Sequence, residues 1–178
     1  MLADTLARLE HDRAAFLAAF EALTPAQRQF RPPGGGWTGD EVAQHLAKVE
    51  TRILGALAKQ AAAGDRRRPV SEASEERLAA VEAFMRSEGR IPMPTVAEPF
   101  IRPDSPDDAD WRAHLAAFGD EWQRLAETMP ARLADVPLVE HPRAGGLTAT
   151  GAARFVASHL DHHTRQLARL RTAEGFPT

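Results

Sequence analysis

The chain has 178 residues, of which 43% are apolar and 26% charged, the balance of an ordinary globular protein that buries a core without disulfides. Its net charge of −3 is spread over interspersed acids and bases, which excludes a broad electrostatic attraction to nucleic acid or membrane. It contains no cysteine, which excludes disulfides, thiolate metal sites and a protein thiol nucleophile, so any thiol chemistry must use a thiol from outside.

One domain spanning residues 1–178 is the expectation for this length. The charged N-terminal stretch lacks the apolar core of a signal peptide, and no run reaches the roughly 20 apolar residues of a membrane span, so a cytoplasmic location is expected. Arg66 to Arg68 form the one basic run and read as a solvated loop.

Residues 2–22 place Leu2, Leu6, Leu9, Phe16 and Phe20 at three- and four-residue spacings, with Glu10 and Arg13 off or at the edge of that stripe, and predict the first long helix. Thr24-Pro25 ends it, and the prolines and glycines through Gly36 predict an irregular connector. Thr38 and Glu41 form a capping box that starts the second helix, which runs to about Ala63 and buries Val42, Leu46, Val49, Ile53 and Leu57. His45 lies on its flank, where a lone histidine ordinarily packs and makes one hydrogen bond. Ser74 to Glu88 predicts a shorter helix with Leu78, Val81, Phe84 and Met85 inward. Five prolines between Ile91 and Pro106 then predict an extended, semi-rigid crossover.

The third long helix is predicted to start at Ser105-Pro106-Asp107-Asp108, with serine as cap, proline in the first turn and acids toward the positive end of the dipole. Trp111, Leu115, Phe118, Trp122, Leu125 and Met129 form its core seam. His114 adjoins the seam without an evident partner. Residues 130–146 read as a second connector, Thr148 caps the fourth helix, and no strand pattern of length appears. Four amphipathic helices with one long crossover between the second and third predict an all-α four-helix bundle, in which His45 can face the last helix.

That last helix carries the chemistry. Ala152, Phe155, Val156, Leu167 and Leu170 share one side with His159, His163 and Gln166. Imidazoles at i and i+4 project from successive turns and could share a metal ion. His162 competes, although at about 100° per residue it points away from the centre of the stripe.

The chain resembles the DinB-like, or DinB/YfiT-like, metalloenzyme family. The resemblance rests on Trp37-Thr38 opening a helix, His45-Leu46 with Glu50 beyond, the stretch His141-Pro142-Arg143-Ala144-Gly145-Gly146-Leu147-Thr148, and His159 and His163 followed by Gln166. It implies an up-down-down-up bundle whose three histidines hold a divalent metal, zinc or nickel, at one end of a cleft. Carried onto this sequence, the ligands are His45, His159 and His163, with His162 as the alternative to His163. The resemblance also implies a homodimer and a transferase or isomerase using a low-molecular-weight thiol such as bacillithiol or mycothiol.

Three neutral imidazoles leave coordination positions open, the arrangement of a catalytic rather than a structural metal. The expected chemistry is loss of a thiol's proton beside the cation and attack of the thiolate on a small electrophile, which is S-transfer. A metal-dependent hydrolase is the alternative enzyme, and a non-catalytic metal- or small-molecule-binding bundle serving stress response is the alternative outside catalysis. His159-Leu160-Asp161-His162-His163 is not the H-E-x-x-H of zinc proteases, because no glutamate follows the first histidine. Glu41 and Gln166, each about a turn from a histidine, are the residues expected to orient a ligand.

Overall fold

Side-chain caps define where most of the helices begin. Thr38 accepts from the Glu41 amide while Glu41 accepts from the Thr38 amide, Ser74 accepts from Arg77, Asp110 from Ala113, and Thr148 from Gly151. Each such bond satisfies an amide that a helix start otherwise leaves without an intrahelical partner. The computed structural model describes residues 2–87, 95–104 and 110–178. Its helices are α1 (Leu2–Glu21), α2 (Pro25–Gln29), α3 (Gly39–Ala62), α4 (Glu75–Arg86), α5 (Glu98–Ile101), α6 (Trp111–Thr128) and α7 (Ala149–Arg171). A two-stranded antiparallel hairpin, β1 (Val139–His141) and β2 (Gly145–Leu147), precedes α7.

The described residues are therefore mostly helical. Each of α1, α3, α6 and α7 packs on two of the others: α1 on α7 and α6, and α3 on α6 and α7. The buried residues are those of the periodic stripes, including Leu6, Leu9, Phe16 and Phe20 on α1 and Val42, Leu46, Ile53 and Leu57 on α3. Each such side chain contributes about 1.5–3 kcal/mol when fully withdrawn from water. Among the described residues no helix is long and apolar enough to cross a membrane.

An ion pair crosses this core. Arg13 is 2% exposed and Glu50 1% exposed, and the guanidinium meets both carboxylate oxygens at 2.5 and 2.9 Å. Trp122 Nε1 donates to the same carboxylate at 2.7 Å, and Arg13 also donates to the Leu115 carbonyl, so α1, α3 and α6 meet at one polar node. Arg13 is thus not a flank residue of its helix. Its buried charge is compensated by bonds to Glu50, the Leu115 carbonyl and Glu10.

Other expectations need correction in the connectors. Pro25 does not only end α1; it occupies the first turn of α2, where its missing amide costs nothing, and Thr24 with Gln27 forms a full capping box there. The crossover is not extended throughout, since α5 lies within it; the remainder of the Ile91–Pro106 prediction falls partly outside the described residues. So does the helix start expected at Ser105–Asp108, and α6 as described opens on Asp110. Phe84 is 37% exposed rather than buried.

The hairpin depends on two glycines. Gly145 has φ +75°, a conformation that strains residues with a Cβ. At Gly146 an added Cβ would overlap the Ser71 carbonyl oxygen, because the segment ahead of α4 lies directly against β2. Glu140 completes the junction by accepting from the Ser71 amide and hydroxyl.

Candidate metal centre

His45, in the second turn of α3, and His159 and His163, on α7, come together at the α3–α7 contact. His159 Nε2 lies 3.1 Å from His45 Nε2 and 3.0 Å from His163 Nε2, and one ligand nitrogen from each of the three falls within 4.8 Å of the other two. All three residues are buried.

The outer nitrogens decide what the inner ones carry. His45 Nδ1–H donates to the Ile101 carbonyl at 2.7 Å, and His163 Nδ1–H donates to Gln166 Oε1 at 2.7 Å. A neutral imidazole has one N–H, so Nε2 of both rings presents a lone pair to His159. A single proton on His159 Nε2 could serve only one of them. A cation is the partner that satisfies all three nitrogens together. A tetrahedral ion with bonds of about 2.0–2.1 Å holds its ligands about 3.4 Å apart, close to the two Nε2 spacings of 3.0 and 3.1 Å around His159.

Electrostatics keeps the rings in the ligand form. Burial pushes the His45 imidazole down to about 4, against the opposing pull of the Ile101 carbonyl. Burial and then the neighbouring imidazoles hold His159 and His163 well below the ordinary histidine value. Uncharged at neutral pH, the rings can give lone pairs to a metal without first losing a proton.

A family model for the DinB superfamily matches residues 8–167. The chain belongs to the DinB superfamily. No curated protein and no solved structure matches it. Membership and the buried three-histidine group together fit a metal-dependent protein.

The remaining residues singled out in this DinB superfamily chain separate clearly. Gln166 touches His163. His162 does not enter the cluster: its Nδ1–H donates to the Met85 carbonyl at 2.9 Å, which turns the ring toward α4. Glu41 is also placed elsewhere, its oxygens accepting from the Thr38 amide and from Arg31. His114 packs its ring edgewise on Trp111.

Several contacts have no counterpart in the sequence pattern. The Ile101 carbonyl belongs to α5, which Lys48 ties to α3 by donating to the Arg102 carbonyl at 3.0 Å and to the Asp104 carboxylate. Trp37 lies 4.6 Å from the His45 ring and stacks on His163 at 6.3 Å, while Phe155 stacks on His159 at 5.4 Å. The signals in the sequence are the Trp37-Thr38 pair and the i, i+4 spacing of Phe155 and His159 on one helical stripe.

The histidines open onto a cavity of about 1220 Å³. Val49, Ile53, Met85, Phe100 and Leu170 give it apolar walls, and Arg52, Lys59 and Arg169 add positive charge. Its two described acids are engaged, Glu98 by Arg102 and Glu140 by Ser71.

Proposed function

We propose that this chain is a metal-dependent S-transferase. In this reading α1, α3, α6 and α7 form one up-down-down-up four-helix-bundle domain, and His45, His159 and His163 are the ligands of one zinc or nickel ion. A low-molecular-weight thiol and a small electrophile meet in the cavity. The observation that carries the reading is the convergence of three Nε2 atoms, two of them fixed as lone pairs, at the end of a large apolar cavity.

The chain's own residues do four things in this scheme. Ile101 and Gln166 hold two rings in the tautomer a cation needs. Trp37 and Phe155 cover the ring faces and keep water from them. Three protein ligands leave room in the coordination sphere. The cavity of about 1220 Å³ has room for a small thiol and a small electrophile together. A bound divalent cation would supply positive charge that stabilises the thiolate of an incoming thiol.

With no cysteine in the chain, a thiol nucleophile comes from outside it. Hydrolysis is less well supported, because both described acids lining the cavity are already hydrogen-bonded and neither stands free as a base for water.

The test begins with elemental analysis of protein purified without chelators or a histidine tag, expected to give one zinc or nickel per chain. Loaded protein is then supplied with bacillithiol or mycothiol and a panel of aryl halides and epoxides. Protein without metal sinks the proposal at its first step. Metal-loaded protein with no thiol-dependent turnover leaves a hydrolase or a binding protein.

A further inference from the structure

His141 ends β1 and begins the turn into β2. Its Nδ1 accepts from the Arg143 amide at 3.2 Å and from the Ala144 amide at 3.0 Å. A nitrogen that accepts two amide protons carries a lone pair, so the ring's own proton resides on Nε2. Burial, aided by the charge of Arg143, pushes the imidazole down to about 4, and the ring is neutral at neutral pH. Among the described residues Nε2–H has no acceptor, and the ring lines the cavity, 4.5 Å from Phe155. Phe155 is the ring that stacks on His159.

The role of Nδ1 is one that asparagine or aspartate ordinarily fills, a side-chain acceptor for amides two and three residues on. The turn therefore does not require histidine. Histidine adds a second polar atom at the far side of a rigid ring, a donor on a residue that lines the cavity. Exposed Arg52, Lys59 and Arg169 belong to the lining and have no acidic ion-pair partner among the described residues, so the field over the cavity favours an anion.

We propose that His141 is a substrate-binding residue whose Nε2–H donates to an oxygen of an anionic, partly apolar molecule held in the cavity. The inference rests on reading the cavity as the reactant site, and it adds the chemical class of one reactant: a carboxylate or similar oxyanion with an apolar body.

Two measurements on the full chain test it. Imidazole nitrogen shifts of labelled protein at neutral pH are expected to report the Nε2–H tautomer for His141; the Nδ1–H tautomer overturns the proposal without any variant. Calorimetry with 4-phenylbutyrate as probe is expected to show binding to the parent protein. His141→Asn, which keeps an acceptor for the turn and removes the distal donor, is expected to bind about tenfold more weakly at an unchanged melting temperature. His141→Gln, whose amide reaches the position of Nε2, is expected to recover part of the loss. Equal affinity in the parent and His141→Asn overturns the donor role, and a parent that binds no probe overturns the oxyanion class. Metal content of the same samples reads separately, so protein that keeps its ion but fails either binding test rejects this inference and not the metal site.

Discussion

Gln166 receives the Nδ1 proton of His163 at 2.7 Å from less than one turn further along α7, and this hydrogen bond aims the His163 lone pair at His159. Replacing it by leucine removes the acceptor and frees the ring to adopt the other tautomer. Gln166→Leu is expected to lower metal affinity by about 10- to 100-fold, while Gln166→Glu keeps an acceptor and most of the affinity. Competition against a chromogenic chelator measures both. Unchanged affinity in Gln166→Leu would mean that packing alone orients His163.

The His162 and His163 rings meet edgewise at 5.0 Å, but their Nδ1 atoms bond to different partners, the Met85 carbonyl and Gln166. His163→Ala and His45→Ala are each expected to lose the metal on desalting, because two imidazoles remain. His162→Ala is expected to keep it. That variant forfeits the bond to the Met85 carbonyl, on the order of 1 kcal/mol, and melts about 2–4 °C lower. Metal retained by His163→Ala and lost by His162→Ala would reverse the assignment.

What the letters reveal here depends on how local the cause is. The Thr38–Glu41 box, the Thr148 cap and the stripes of α1, α3, α6 and α7 are set by residues within a few positions of one another, and they are readable. The i, i+4 relation of His159 and His163 is of the same kind. The burial of Arg13 is not legible locally because its partner Glu50 is 37 positions away, and without that partner a buried guanidinium makes no sense. The Ile101 carbonyl was invisible for a related reason: a backbone oxygen carries no side-chain signature, and its position depends on where α5 lands on α3. Pro25 is ambiguous for a third reason: the same residue breaks a helix interior and favours a helix start.

Removing the metal should make stability fall steeply in weak acid. His45 has a folded value of about 4 against an ordinary value of 6.5, so between those values the unfolded chain binds more protons than the folded one. Its contribution is fully present above pH 6.5 and is lost as pH falls toward 4. His159 and His163 shift in the same direction and add to the effect. For His45 alone the loss is on the order of 3 kcal/mol. Melting temperatures of chelator-treated protein are expected to drop progressively from pH 7 to pH 4.5. A flat profile over that range would mean the rings are solvated in the metal-free fold.

The Arg13–Glu50 node offers a test of the core that is independent of the metal. Arg13→Met fills similar space but leaves the Glu50 carboxylate buried with Trp122 as its remaining donor. Breaking a buried pair from one side costs about 3–5 kcal/mol, which here lowers the melting temperature by about 10 °C or more. The loss should depend on pH. Burial already pushes the Glu50 carboxyl up, with Arg13 opposing, and without Arg13 it rises further. A carboxyl whose folded value exceeds its unfolded one favours folding when protonated, so the variant loses stability relative to the parent as pH rises. The gap between Arg13→Met and parent is therefore expected to be smaller at pH 5 than at pH 8. A double variant, Arg13→Met with Glu50→Leu, removes both charges and is expected to cost less than the sum of the two single changes. Additive losses would mean that the pair is not coupled through its charges and that the node is held by packing around Trp122.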